Sequence, residues 1–394
     1  LDCHDNPELA RQLADHIHQQ PQQRIPFADY MDWVLYHPQQ GYYTSRVPIG
    51  EKGDYITSSS LGPDFGELLA EQFVQLWQGL GEPAPFTLVE QGAGQGLLAA
   101  DILTYLQQQH PNFFEVVEYR IIERSPQLAR DQQRRLTAAL SGWAGLSWCS
   151  WADVPKQSLV GCIFANELVD AFPVHRVQVN DRRLQEVYVT LDPAADADAP
   201  GFVEAAGSPS TPALQTYFQR LGIDISAYPD GYTTEVNLAA SDWLETVATR
   251  LQRGYLITID YGYPAERYYK PTRPGTLQCY YQHHHHSDPY RNIGHQDITA
   301  HVDFTMLEHV GERCGLGPIG LTQQGLFLMA LGLGDRLGEL SQNSDRSINQ
   351  IIHRRNALHA LMDPTGVGNF GVLVQGKGLP DAVPMPQGLR SPQD

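Results

Sequence analysis

In the stretch Glu90-Gln91-Gly92-Ala93-Gly94-Gln95-Gly96, residue type and spacing point most directly to chemistry. Glycines let a backbone turn tightly and approach a ligand, and a helix beginning after them offers unpaired N–H groups to an anion. A dinucleotide fingerprint would read G-x-G-x-x-G, but counting from Gly92 the third glycine falls on Leu97, so that pattern fails. The form acid-x-Gly-x-Gly-x-Gly suits S-adenosylmethionine instead, whose amino acid end carries one carboxylate and one ammonium. Glu90, Gly92, Ala93, Gly94 and Gly96 are therefore the candidate contacts. The plain alternative is a tight strand-to-helix turn with no ligand.

A second acid follows about thirty residues on, Glu123, at the end of a second predicted strand, where a carboxylate can accept both ribose hydroxyls of a nucleoside. A solvent-facing strand-end carboxylate is the competing reading. Asp153, after a third strand, is placed to meet an adenine amino group or to cap a turn. At the end of a fourth strand stands Asn166-Glu167-Leu168-Val169-Asp170-Ala171-Phe172-Pro173, on the edge where open α/β sheets bind ligands. Asn166, Glu167 and Asp170 are the catalytic candidates, because two carboxylates can grip a planar guanidinium through paired hydrogen bonds, and Asn166 is also a cofactor candidate. Read blandly, Asn166 caps a helix whose first turn holds the two acids.

His283 to His286, with His295, His301, Asp297 and Asp303, match no tight zinc spacing and are expected to form a polar insertion loop, so no metal is called. No G-x-S-x-G or assignable Cys–His pair points to a nucleophile. A net charge of −18 argues against nucleic acid or an anionic membrane surface as main partner. Five widely spaced cysteines without a C-x-x-C pair fit a reducing compartment. The longest apolar runs fall short of the roughly 20 residues that span a bilayer. The first residues do not resemble a signal peptide, and a chain opening on Leu1 leaves room for a short leader.

The elements that must position these groups follow from apolar periodicity. Helices are expected near Pro7 to Ile17, over Tyr30 to Leu35, and from Asp64 to Trp77. From Phe86 short apolar runs alternate with helices: strands at 87–90, 119–123, 146–148 and 159–165, then 255–260, 317–321 and 370–375. The run Leu159-Val160-Gly161-Cys162-Ile163-Phe164-Ala165 is continuously apolar, as a strand buried on both faces should be. His175 to Val179 and Leu184 to Val189 flank Asn180-Asp181 as a hairpin.

Taken together the chain resembles the MidA-type family of S-adenosylmethionine-dependent methyltransferases, relatives of the mitochondrial complex I assembly factor that methylates protein arginine. The marks are Ile25-Pro26-Phe27, Leu35-Tyr36-His37-Pro38, Gly41-Tyr42-Tyr43, Gly53-Asp54-Tyr55-Ile56-Thr57-Ser58, Phe65-Gly66-Glu67, the glycine motif and Asn166-Glu167 with Asp170-Ala171-Phe172-Pro173. Further on come Ile259-Asp260-Tyr261-Gly262, Gly275-Thr276-Leu277-Gln278-Cys279-Tyr280 and Asp297-Ile298-Thr299-Ala300-His301-Val302-Asp303-Phe304.

The resemblance implies an α/β fold with a Rossmann-like class I methyltransferase core, a seven-strand and mostly parallel sheet, plus an N-terminal helical extension and insertions. Residues 1–85 are expected to form the extension and a cofactor-covering loop, with Gly53, Asp54 and Thr57 as contacts. Residues 86–394 are expected to be the core, with insertions at about 175–235 and 261–302 on the substrate side. The implied substrate is an arginine of a protein, of the class of a respiratory NADH dehydrogenase subunit, in the cytoplasm or, behind a missing leader, the mitochondrial matrix. Departures stand at Ser59-Ser60, where the family has Pro-Glu, and at Gln95 and Gln278, where a basic residue is common. An assembly protein that keeps the cofactor site without turnover, and a small-molecule methyltransferase, are the alternatives.

Overall fold

The computed structural model describes residues 5–44, 57–195, 200–340 and 347–390. The chain forms two compact units, one of residues 56–168, 244–261 and 310–394, the other of residues 1–55, 169–243 and 262–309.

The first unit is built on a seven-stranded sheet. Its strands are β1 (Phe86–Gln91), β2 (Val117–Ile122), β3 (Leu146–Cys149), β4 (Leu159–Asn166), β5 (Leu251–Asp260), β6 (Gly317–Gln323) and β7 (Gly371–Lys377), in the spatial order β6-β7-β5-β4-β1-β2-β3. Neighbours from β5 to β3 pair in parallel, whereas β7 runs antiparallel to both β5 and β6. The order turns back at β1 and β4, which lie side by side, so the carboxyl ends of these two strands border the crevice where such sheets place ligands. The central strands β1 and β4 are buried along nearly their whole length because both faces are covered. They also approach closely: a Cβ on Gly161 would meet the Thr87 carbonyl oxygen at 2.0 Å. Around the sheet stand α1 (Asp64–Gly79), α2 (Leu97–Gln109), α3 (Pro126–Ala139) and α4 (Gln324–Ala330).

Helix α1 carries Phe65, Leu68, Leu69, Phe73 and Leu76 on one buried stripe, and Phe73 meets Phe164 of β4 at 4.9 Å between ring centres. This helix falls within the sheet unit. β5 starts at Leu251, ahead of the strand expected at 255–260, and a register irregularity between Leu251 and Arg253 absorbs the early start.

In the second unit, helices Pro7–Gln19 and Phe27–Tyr36 share a core of Leu9, Leu13, Ile17, Phe27, Tyr30 and Val34 with one another. A sheet of five antiparallel strands includes Arg24–Pro26, His175–Asn180, Arg183–Leu191, Phe202–Gly207 and Thr233–Val236. The predicted hairpin turns on Asp181 and Arg182, both at positive φ (50° and 57°), as the right-handed strand twist requires. The histidine run is not a loop. His284–His286 forms a strand paired with Gln278–Tyr281, and Gln282 and His283 make the turn between them. Asp297 accepts a hydrogen bond from Tyr43 and Asp303 one from Tyr217, so both acids serve the packing of this unit. Among the described residues no helix is long and apolar enough to cross a membrane.

Candidate cofactor and active site

Between β1 and α2 the backbone turns through Gly92, Gly94 and Gly96, all at positive φ (75°, 52° and 74°). Each glycine serves differently. A Cβ on Gly92 would touch Leu168 Cδ1 at 2.8 Å, so the segment leaving β4 packs directly on the glycine turn. At Gly94 a Cβ would meet nothing within 4 Å, which leaves open space over the turn. Gly96 stands at the N-cap of α2 and offers no side chain to its first-turn N–H groups, which remain available to an anion.

Glu90, one residue before the end of β1, is 3% exposed, and its Oε2 accepts a 2.6 Å hydrogen bond from the Tyr119 hydroxyl on β2. Burial pushes its carboxyl up to about 7, with the Tyr119 bond pulling the other way and Glu123 adding to the rise. Ala93 is buried as well.

Glu123 lies one residue past β2. Its Oε1 accepts from the Ser125 N–H at 2.8 Å and its Oε2 from Gln132 Nε2 at 2.9 Å, and burial raises its carboxyl while these bonds lower it. The Arg124 N–H lowers it as well, and a carboxylate with about four acceptor sites keeps capacity for a hydroxyl. Gln132 Nε2 also donates to the Gly94 carbonyl at 2.9 Å, and its Oε1 accepts from Trp148 Nε1 at 3.0 Å. One side chain on α3 therefore ties the glycine turn, the acid after β2 and strand β3 into a single geometry.

Asp153 is exposed, and its Oδ2 accepts from both the backbone N–H and the hydroxyl of Ser150. The turn-capping role is the one its contacts display. Gln91, by contrast, receives a 2.8 Å hydrogen bond from Trp151 Nε1, which fixes the chain after β3 to the end of β1.

At the end of β4, Glu167 adopts φ 51°, and its N–H donates to Ile259 of β5 at 2.8 Å. Its Oε1 accepts from Asn166 Nδ2 at 3.0 Å and from the Ser58 N–H at 2.9 Å. Ser58, fully buried, donates through its hydroxyl to Gln324 Oε1 at 3.1 Å. The buried Oδ1 of Asn166 has no hydrogen-bond partner. Thr57 stands just before this contact, and both serines of the departure from the family pattern fold onto it: Ser60 Oγ donates to the Thr57 carbonyl at 2.8 Å, and Ser59 Oγ lies 3.2 Å from Thr57 Oγ1.

Asn166, Glu167, Glu123, the glycine turn and Thr57 all fall in the sheet unit, whereas Asp170 belongs to the other, buried, with its carbonyl accepting from the Ala300 N–H at 3.0 Å. Gly53 and Asp54 lie outside the described residues. Sequence reading did not single out Ser58, Tyr119, Gln132, Trp148 or Gln324. Only Ser58 had a signal, as the end of a recognised block; the others touch the site from helices and strands far off in sequence.

The open space over Gly94, the uncapped start of α2, the Glu123 acceptor and the unpartnered Asn166 oxygen together fit a nucleoside cofactor with a charged amino acid end. Comparison with known proteins agrees. A family model of S-adenosyl-L-methionine-dependent methyltransferases matches residues 68–322. A Drosophila melanogaster protein named protein arginine methyltransferase NDUFAF7 homolog, mitochondrial, is 31% identical over 370 residues, 87% of this chain and 79% of its own. The human protein arginine methyltransferase NDUFAF7, mitochondrial, is 30% identical, covering 89% of this chain and 80% of that one. A Burkholderia thailandensis protein crystallised with S-adenosyl-homocysteine superposes with a TM-score of 0.84 at 32% identity, over 98% of this chain and 95% of that one.

Sheet order, glycine turn and these matches define an S-adenosylmethionine-dependent methyltransferase with a Rossmann-like core. The chain belongs to the MidA-type family of these enzymes.

Proposed function

We propose that the chain methylates an arginine side chain of a protein, with the glycine turn and Glu123 holding the cofactor and Asn166 and Glu167 receiving the guanidine. The observation that carries this reading is the Glu167 carboxylate: one oxygen is fixed by Asn166 and Ser58, and the next residue, Leu168, packs on Gly92. S-adenosylmethionine would supply, when bound, an electrophilic methyl on a sulfonium, the sulfur leaving as a neutral thioether while the guanidine nitrogen gives up a proton to solvent.

The residues have the remaining tasks. The first-turn N–H groups of α2 would hold the cofactor's carboxylate, Glu90 its ammonium and Glu123 its ribose hydroxyls. Asn166 Oδ1 accepts an N–H from the incoming guanidine, and Glu167 holds the substrate's positive charge as the methyl–nitrogen bond forms. Such a charge contact is strongest where water is excluded. Gly53, Asp54 and Asp153 are the further cofactor contacts that this reading includes.

That two relatives bear the name protein arginine methyltransferase supports the substrate class. A respiratory NADH dehydrogenase subunit as the protein acted on rests on the family resemblance alone. Cys149, Cys162, Cys279 and Cys314 are free thiols, which supports a reducing compartment such as the cytoplasm or matrix.

The test is incubation of the full chain with methyl-labelled cofactor and cell extract, followed by identification of the labelled species. Label on protein arginine is expected, and Glu167→Gln should lower transfer by about 2–5 kcal/mol of transition-state stabilisation while cofactor affinity holds. Wild-type transfer rates in that variant, or label confined to small molecules, would refute the reading.

A further inference from the structure

The insertion after β5 contains a charge arrangement that the transfer chemistry does not use. Between Tyr263 and Arg273 lie three cationic residues, Arg267, Lys270 and Arg273, against one acid, Glu266, in a chain whose net charge is −18. The two guanidinium carbons sit 4.1 Å and 4.4 Å from the centre of the same ring, that of Tyr263, and Arg273 also donates to the Tyr263 hydroxyl at 3.3 Å. His301 packs against this ring as a third neighbour, 5.1 Å between centres. Among the described residues neither guanidinium makes an ion pair with a carboxylate, Glu266 included.

Two cations held at one ring repel each other, and the ring quadrupole offsets only part of that cost. The local potential is felt by His301, held neutral down to about 4 first by burial and then by Arg273 and Arg267. An anion beside these guanidiniums would offset the local positive charge and take up a fixed N–H fork, a geometry that matches a carboxylate. Arg267 is exposed and Arg273 and Tyr263 are half-buried, so the forks are held in place and still reachable. A polyanion is disfavoured, because the chain's overall negative charge repels an extended phosphate backbone while one carboxylate needs only the local contact.

We propose that Arg267 and Arg273, braced on Tyr263, form a docking point for an acidic side chain on the protein substrate, away from the methylated residue. The identity of the occupant rests on the protein-substrate reading above, but anion recognition by the patch does not.

The test uses the full chain and a rhodamine-labelled oligoglutamate peptide, with oligoglutamine and a short oligothymidylate as comparison probes, read by fluorescence anisotropy at low salt. Binding of the glutamate probe alone is expected, weakened roughly tenfold or more in Arg267→Gln/Arg273→Gln, in line with loss of charge-assisted bonds. The single variant Arg267→Gln, exposed and without folding consequence, should show part of that loss. Equal affinity in wild type and double variant, equal affinity for glutamate and glutamine, or tighter binding of the oligonucleotide would overturn the proposal. Extract labelling in parallel separates the two readings. Labelled protein with unchanged transfer in the double variant sinks the docking point alone, whereas absence of labelled protein sinks the substrate reading and leaves the peptide result to decide the patch.

Discussion

Glu90 shows what a single residue contributes when its environment opposes its charge. Its carboxyl, raised to about 7 by burial, binds a proton in the folded chain that it has lost in the unfolded chain between about pH 4.5 and 7. The folded state therefore carries no penalty below the unfolded value, and the full penalty, roughly 2–4 kcal/mol, above the folded one. Glu90→Gln should be more stable than wild type by that amount at pH 8 and equal to it at pH 4, measured by denaturant unfolding in the absence of cofactor. A difference independent of pH would mean that the carboxylate is already compensated. Glu123 has a double function to expose. Because it accepts from Ser125 and Gln132, Glu123→Ala should cost about 1–2 kcal/mol in stability, and a further loss of about 1.5–3 kcal/mol in cofactor affinity should appear by calorimetry if the ribose contact is real.

At the scale of elements, the site is held by contacts between pieces that are remote in sequence. Gln132 on α3 reaches the glycine turn, the acid after β2 and a tryptophan on β3, so Gln132→Leu should weaken cofactor binding about tenfold without touching any ligand atom. Calorimetry together with a melting curve checks this, since an equal affinity would show that the turn holds its shape alone. The central strands set a harder limit. With the Thr87 carbonyl 2.0 Å from where a Cβ would sit and a φ of 153°, Gly161→Ala should destabilise by about 3 kcal/mol or more, read as a shift in urea midpoint at constant slope.

For the whole molecule the relevant prediction concerns ligand linkage. A ligand that binds only the folded chain stabilises it by mass action, so S-adenosyl-homocysteine at about 100 times its dissociation constant should add about 2.7 kcal/mol to the unit that contains the glycine turn. Gly94→Ala fits the open space and strains only the backbone at φ 52°, whereas Gly94→Asp also sets a negative charge where the cofactor's carboxylate is received. The first variant should keep most of the ligand-induced shift in unfolding and the second should abolish it. Retention of the full shift by Gly94→Asp would move the cofactor away from this turn.

Local features were readable without coordinates, because apolar periodicity, glycine spacing and helix punctuation act over a few residues. The alternation of strands and helices from Phe86, the glycine turn, the acid after the second strand and the hairpin at Asp181 all came from such short-range rules. Contacts across the sheet obey no such rule. Nothing near Gln132 in sequence announces that its amide bridges Gly94 and Glu123, and nothing near Ser58 says that its N–H fixes Glu167. The same holds for the antiparallel β7 and for the assignment of Glu167 and Asp170 to different units, since strand order and unit membership are chosen by which apolar faces meet. His284 to His286 illustrate the limit from the other side: polar residues that read as a loop become a strand when a neighbouring strand supplies the hydrogen bonds their backbone lacks. Sequence thus determined which residues could do the chemistry and in what local conformation. Packing between distant segments decided which of them share a site, because burial and hydrogen-bond satisfaction are properties of the assembled chain.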